Sequence, residues 1–450
     1  VYIHGLINTQ CLILPHHFRL IRFMKFKIIA LLLFFTLATN LGFAQTHLEK
    51  GDTYFEQRNY QKALTEYFQA LRQDQKNAFI LFKIGYTYLQ SETKEQSISF
   101  LEKAYKLNPD VDPKILFYVG MAYQSDLQYT KAKYIYEQYK KTASKKYVEE
   151  IDQRIRQCIV SHGLISNPID VLIENGGSSI NSAYDDYSPV VPDDESFIVF
   201  TSNRVLDTLR KSAKGYEDIY ASRKVNDDWT PASKIGNTIN MGHHDAVSSL
   251  SPNGRMLFLY YDLNHGDIFV SNLNDNGEWE KPVGLNKNVN TALFKETSAS
   301  VSADGKRLFF SSNKPGGKGG LDIYMSVMDE TGNWGKAVNL LDINTPGDED
   351  SPYIHPDGVT LYFSSDGHPG MGSSDVFLST FKDNKWSKPE NLGFPINSIE
   401  YDGFFTISND KRVAYFSSKR KYGVGGYDIL KATYRNVNFE PVRIPDAVIA

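Results

Sequence analysis

The chain has 450 residues, enough for two or three domains, with 41% apolar and 23% charged residues, the balance of an ordinary folded protein. Its net charge is −4, so it lacks the basic surplus that displaces counterions from nucleic acid, and no nucleic-acid partner is expected. Of the two cysteines, Cys11 falls in a segment expected to be removed, which leaves Cys158 alone and no intramolecular disulfide.

Residues 1–44 read as an upstream extension and a signal peptide. Met24-Lys25-Phe26-Lys27 is a short basic start, Ile28 to Leu37 an apolar core, and Gly42-Phe43-Ala44 a small-residue cleavage site. The core is too short to span a membrane, so the mature chain is expected to be exported, to start at Gln45 and to carry no transmembrane span. Cleavage leaves 45 basic against 53 acidic side chains, a balance of −8. No cysteine stands directly after Ala44, which argues against a lipid anchor.

From 45 to 160 the apolar period is helical, and a unit of about 34 residues repeats. Gly51, Gly85 and Gly120 are each followed by Tyr54, Tyr88 and Tyr123, then by the small residues Ala63, Ser97 and Ala132, and by Tyr67, Leu101 and Tyr136. This resembles the tetratricopeptide repeat, in which small residues let paired helices approach and bulky ones fill the seam. Three units fit, with Ser144 to Val160 as a closing helix. The resemblance implies a concave groove lined by the first helix of each pair. At those positions stand Asp52, Phe55, Phe82, Tyr86, Leu89, Phe117 and Met121, expected as a partner-binding surface with part of the rings exposed.

Residues 161–170 read as a linker, after which the period falls to two and turn residues become dense. All four tryptophans, Trp229, Trp279, Trp334 and Trp386, then recur at intervals of 50 to 55 residues. Each unit opens on an asparagine (Asn181, Asn240, Asn290, Asn344, Asn397), with an acid five or six residues later: Asp186, Asp245, Glu296, Glu349 and Asp402. A turn residue follows each acid by eight positions, then an apolar strand, a loop, an Asp-Ile-Tyr-like strand and the Trp strand. In the fifth unit Phe439 stands in the Trp slot. Four strand signals per period of some 50 residues predict a five-bladed β-propeller over 171–445. The fold class is therefore multidomain α and β: a helical repeat solenoid, then a propeller.

Candidate chemistry is sparse. The five acids could ring a channel and hold a cation, but their recurrence in every unit favours hydrogen bonds to backbone N–H groups where the chain passes between blades. The glycine-rich stretch Lys314 to Gly320 lacks the ending and the helix of a phosphate loop. With the loops at Gly367 to Gly372 and Gly423 to Gly426, it reads as a strand connector in which glycine supplies positive φ. His243-His244-Asp245 has no further ligands at useful spacing, and Asp348-Glu349-Asp350 lacks the calcium-loop pattern. No metal, cofactor or catalytic residue is expected.

The units carry Ser351-Pro352 six residues before Asp357-Gly358, then Phe363-Ser364-Ser365 and Asp-Ile-Tyr strands such as Asp322-Ile323-Tyr324. These resemble the WD-type repeats of TolB-like periplasmic propellers. Signal peptide, tetratricopeptide repeats and propeller, in that order, are similar to the front half of a Bacteroidetes OmpA-like envelope family, some members of which serve type IX secretion. The resemblance implies a periplasmic or outer-membrane-associated protein whose partners are other envelope or secretion-system proteins. The family's carboxypeptidase-regulatory-like and OmpA-like domains have no counterpart before Ala450, so peptidoglycan binding is not expected of this chain.

A non-catalytic scaffold is the reading these features favour. The alternative is a propeller-based hydrolase or carbohydrate-active enzyme, since Asp357-Gly358-Val359-Thr360 resembles a sialidase Asp box. Such an enzyme needs converging arginines, and those of the propeller are few and without equivalent positions.

Overall fold

A computed structural model describes residues 44–205, 216–236, 238–420 and 423–436. The signal segment up to Phe43 and Phe439 lie outside them. The chain divides between Ala143 and Ser144 into two compact units.

The first unit is helical: α1 (44–56), α2 (Tyr60–Gln73), α3 (Ala78–Gln90), α4 (Ser97–Leu107), α5 (Ile115–Ser125) and α6 (Tyr129–Lys140). Asn59 and Asn77 cap α2 and α3 through their side-chain oxygens, satisfying first-turn N–H groups. The glycine spacing has a steric cause. A Cβ on Gly51 would lie 2.4 Å from the Tyr67 ring, one on Gly85 2.6 Å from Leu101, and one on Gly120 2.5 Å from Tyr136. Each glycine thus receives the bulky residue of the second helix of its own pair. Ala63, Ser97 and Ala132 are fully buried in the same packing.

The second unit opens with α7 (Val148–Ser166). This helix runs six residues past the closing helix read from the sequence, so the expected linker shortens to 167–170. Val160 and Leu164 pack against Met371, with Phe394 beside them, and Gln157 Nε2 donates to the Gly372 carbonyl at 2.9 Å. Cys158 is buried in this helix.

The remainder is a ring of five antiparallel blades. Inner strands are Asp186–Val190, Asp245–Leu250, Glu296–Val301, Glu349–Ile354 and Asp402–Ile407, and neighbouring inner strands touch. Second strands end on Ser202, Tyr261, Ser312, Ser365 and Ser418, and third strands begin on Asp218, Asp267, Asp322, Asp375 and Asp428. Every inner strand carries a bulge in its pairing with the second.

Closure uses a strand from the start of the propeller. Val171–Asn175 pairs antiparallel with the third strand of blade five, Val171 opposite Tyr434 and Asn175 opposite Leu430. The outer place of blade five, which the sequence pattern assigned to the Phe439 segment, is thus filled from the other end of the domain. Closing the ring this way leaves no unpaired edge at the seam.

Each tryptophan packs into the apolar cluster between its own blade and the preceding one. Trp334 and Trp386 are each only 6% exposed. Trp229 and Trp279 are half-buried at the rim of theirs, so the four repeat positions are not equally enclosed.

Candidate functional site

In the helical unit, α1, α3 and α5 are the first helices of successive pairs, and their facing residues form a run of rings. Phe55 lies 5.7 Å from Tyr86, which lies 4.8 Å from Tyr118, and Phe82 is 5.8 Å from Tyr86. Phe55, Tyr86 and Tyr118 are half-buried, as are Asp52 and Met121. The expected ring exposure does not hold for Phe82, 7% exposed, or Phe117, 3% exposed, and the groove position Leu89 is also buried, at 4%. Phe117 packs onto Tyr136 and Tyr139 of α6. These side chains point into the seam between helices, where apolar area gains most from being covered. Asp52 is engaged twice, accepting the Tyr67 hydroxyl at 2.6 Å and meeting Lys83 Nζ at 2.9 Å.

Tyr118 is the residue that sequence reasoning missed. It stands where the second unit has Lys83, so no repeating pattern marks it. Burial, with Tyr86 alongside, pushes its hydroxyl above the ordinary tyrosine range.

In the propeller the asparagine and the acid of each unit act in succession. Asn344 pairs with Ile323 as a strand would, its Nδ2 donating to the carbonyl at 2.9 Å and its Oδ1 accepting the N–H at 2.9 Å. Asn240 makes the same pair with Ile219, Asn290 with Ile268 and Asn397 with Val376. The acid then receives the connection as it enters the next inner strand. Glu349 accepts Thr345 N at 2.7 Å, Thr345 Oγ1 at 2.6 Å and Ser365 Oγ at 2.7 Å. Glu296 and Asp402 repeat this with Thr291 and Ser312, and with Ser398 and Ser418. All five acids, Asp186 and Asp245 included, are fully buried. Burial raises Glu296 and Glu349, against the hydrogen bonds that lower them.

A cation follows the acid in three blades. Arg204 and Arg420 stand eighteen residues after Asp186 and Asp402 and meet those carboxylates. Lys314 occupies the same place in blade three, its Nζ 4.0 Å from the Tyr324 ring centre and 4.5 Å from that of Phe310. The arginines are therefore equivalently placed, contrary to the sequence reading, and they point at buried structural carboxylates rather than converging on one site. Burial lowers the Lys314 ammonium to about 8. Blade two has no such partner, and Asp245 Oδ1 is buried without a hydrogen bond.

The three glycine loops wrap the aspartate that opens the third strand of their own blade: Asp322 accepts Lys318 N at 2.8 Å, Asp375 accepts Met371 N at 2.7 Å, and Asp428 accepts Val424 N at 2.6 Å. Their glycines are mostly demanded by contact, not by φ. In the first loop only Gly316 has positive φ, at 98°, whereas a Cβ on Gly319 would sit 1.7 Å from the Gly347 carbonyl oxygen. Backbone meets backbone there, and only glycine leaves room. His244 holds Glu217 at 2.8 Å. Asp348 and Asp350 diverge, one accepting Leu321 N and the other the hydroxyls of Thr297 and Ser298.

Residues 51–91 match the family described as TPR repeat, and residues 80–111 the family described as Tetratricopeptide repeat. These helices are tetratricopeptide repeats. No curated protein matches the chain. Among solved structures, the OM64 TPR domain of Arabidopsis is 18% identical, covering 26% of this chain and 98% of that one with a TM-score of 0.25. TolB from Acinetobacter baumannii is 15% identical over 57% of this chain and 56% of its own, with a TM-score of 0.35. A glycosyl hydrolase from Bacteroides ovatus is 11% identical over 58% and 86%, with a TM-score of 0.39. Among the described residues no helix is long and apolar enough to cross a membrane.

Proposed function

We propose that this protein is a non-catalytic scaffold of the cell envelope, exported and working in the periplasm or at the outer membrane, that gathers envelope or secretion-system proteins. Its tetratricopeptide repeats are a class of domain that binds protein partners. The observation that carries the reading is the run of half-buried rings Phe55, Tyr86 and Tyr118 on successive first helices. Rings with a buried body and an open edge give contact area at low entropic cost, which is what a docked segment needs. The basic, apolar and small-residue succession before Gln45 supports export. In the propeller, the recurring acids serve the connections between blades, which supports a structural role for them.

Affinity capture from a native envelope extract tests the scaffold. The wild-type chain is expected to retain a defined set of proteins that Tyr86→Ala/Tyr118→Ala loses, with the propeller still folded by near-ultraviolet circular dichroism. Equal recovery by both would remove the helical face from the reading.

A further inference from the structure

On the face where the inner strands end, blades one, two, four and five leave a depression of about 270 Å³ beside the axis. Its floor is apolar, built from Val190, Leu250, Ile407 and Val413 with the rings of Tyr353 and Tyr415. Pro192, Pro252 and Pro356 form the rim, and proline offers no N–H to a ligand. A second, much smaller pocket of about 10 Å³ lies among Ser188, Ser249 and Ser351 and shares Tyr353 and Thr406 with the first.

The charged groups lining the depression are all carboxylates: Asp193, Glu195 and Asp410. Glu195 is compensated from behind by Lys431 Nζ at 2.8 Å and Lys224 Nζ at 3.2 Å, neither of which lines the depression. The tyrosine hydroxyls are spent, Tyr353 on the Ile407 carbonyl and Tyr415 on Glu195. Asp193 accepts Asn409 N at 2.7 Å. Asp410 accepts Ser408 Oγ and Arg412 N, hydrogen bonds that hold its carboxyl below the usual range, and meets the exposed Arg412 guanidinium only at 3.6 Å.

We propose that this depression seats a partner segment carrying one bulky apolar side chain next to a lysine or arginine. The inference rests on the scaffold reading and gives the propeller its own docking site. The volume suits one aromatic or long aliphatic side chain and falls short of a drug-sized ligand. A neighbouring cation meets Asp193 and Asp410 at the rim, where charge sets orientation and encounter rate, while an acidic segment meets like charge.

Fluorescence anisotropy on the full chain tests this with a labelled Gly-Arg-Phe-Arg-Gly peptide, using Gly-Glu-Phe-Glu-Gly and Gly-Arg-Gly-Arg-Gly as comparisons. The first is expected to bind roughly tenfold more tightly than either other, the scale of one well-placed contact. Asp193→Asn/Asp410→Asn should erase the preference over the acidic peptide and leave the thermal midpoint in place, since blade two already carries Asn253 at the position of Asp410. No binding, equal binding of the three peptides, or an unchanged preference in the double variant overturns the site. Should that happen while Tyr86→Ala/Tyr118→Ala still loses its captured partners, the scaffold reading survives and this docking site falls.

Discussion

The side-chain amide of Asn181 pairs with the backbone of Ile429, 248 residues away: Nδ2 donates to the carbonyl oxygen and Oδ1 accepts the N–H, each at 2.9 Å. Four other asparagines make this pair within one continuous stretch of chain, but here it joins the start of the propeller to its last blade. Tyr427 N also donates to Asp185 Oδ1 at 3.0 Å, and Lys431 reaches Glu195 at 2.8 Å. The closing seam is held by polar contacts on both faces of the ring.

Asn181→Ala should therefore leave the buried Ile429 N–H without a partner, while the carbonyl keeps Gly176 N at 2.9 Å. At about 1–3 kcal/mol for an orphaned group, the variant is expected to lose that much in urea unfolding monitored by tryptophan fluorescence. A loss well under 1 kcal/mol would mean that water replaces the amide.

The outer strand of blade five is the next test. Leu172 lies opposite Thr433 in its ladder, in step with the hydrogen-bonded pairs Asp170–Arg435 and Gly176–Ile429 on either side. Leu172→Pro removes a backbone donor that faces Asp428–Tyr434 and fixes φ, and a ladder tolerates proline only where the N–H points away from its partner. Release of Val171–Asn175 bares the edge of Asp428–Tyr434, so the variant should associate with rising concentration on gel filtration and be cut near residue 170 by dilute protease. A monomer as resistant as wild type would show that the strand is dispensable.

Unequal enclosure of the tryptophans predicts unequal costs. Trp334, with Phe310 and Tyr324 in its cluster, should cost about 3–5 kcal/mol when replaced by Ala. Half-buried Trp229, beneath Lys224 Nζ at 5.6 Å, should cost clearly less. Paired urea titrations of the two variants decide the order.

Lys314 supplies a pH signature. Its folded-state pKa is lowered to about 8 by burial against an ordinary 10.5, so between these values the unfolded chain binds the extra proton. Stability linked to this group is then lost as pH falls through about 8 and fully present above 10.5. Wild type should gain in thermal midpoint from pH 8 to 10.5 relative to Lys314→Met, and parallel curves for the two proteins would rule the linkage out.

Much of the fold could be read from spacing because the spacing is itself a packing rule. Gly51 and Tyr67, or Asn344 and Glu349, recur since each pair solves the same local problem in every unit. What escaped such reading broke the repeat. Tyr118 replaces a lysine of the preceding unit and so matched no pattern. Leu89 shares a repeat position with half-buried Phe55, and Phe82 shares one with Phe117, but the crowding that buries Leu89, Phe82 and Phe117 comes from neighbouring helices. Arg204, Lys314 and Arg420 share a position yet not a residue type, and only their common contact with a buried acid or its flanking rings unites them.

The sequence by itself determined the number of blades, the order of domains and the places where each connection must be capped, since these follow from contacts among residues within one repeat. Only the tertiary structure decided that Val171–Asn175 completes blade five and that α7 packs on the Met371 loop. The rim of Asp193, Asp410 and three prolines likewise formed only when the ring closed. Those arrangements join residues up to some 260 positions apart, and a pattern of period 2, 3.6 or 50 carries no information about which distant surfaces will meet.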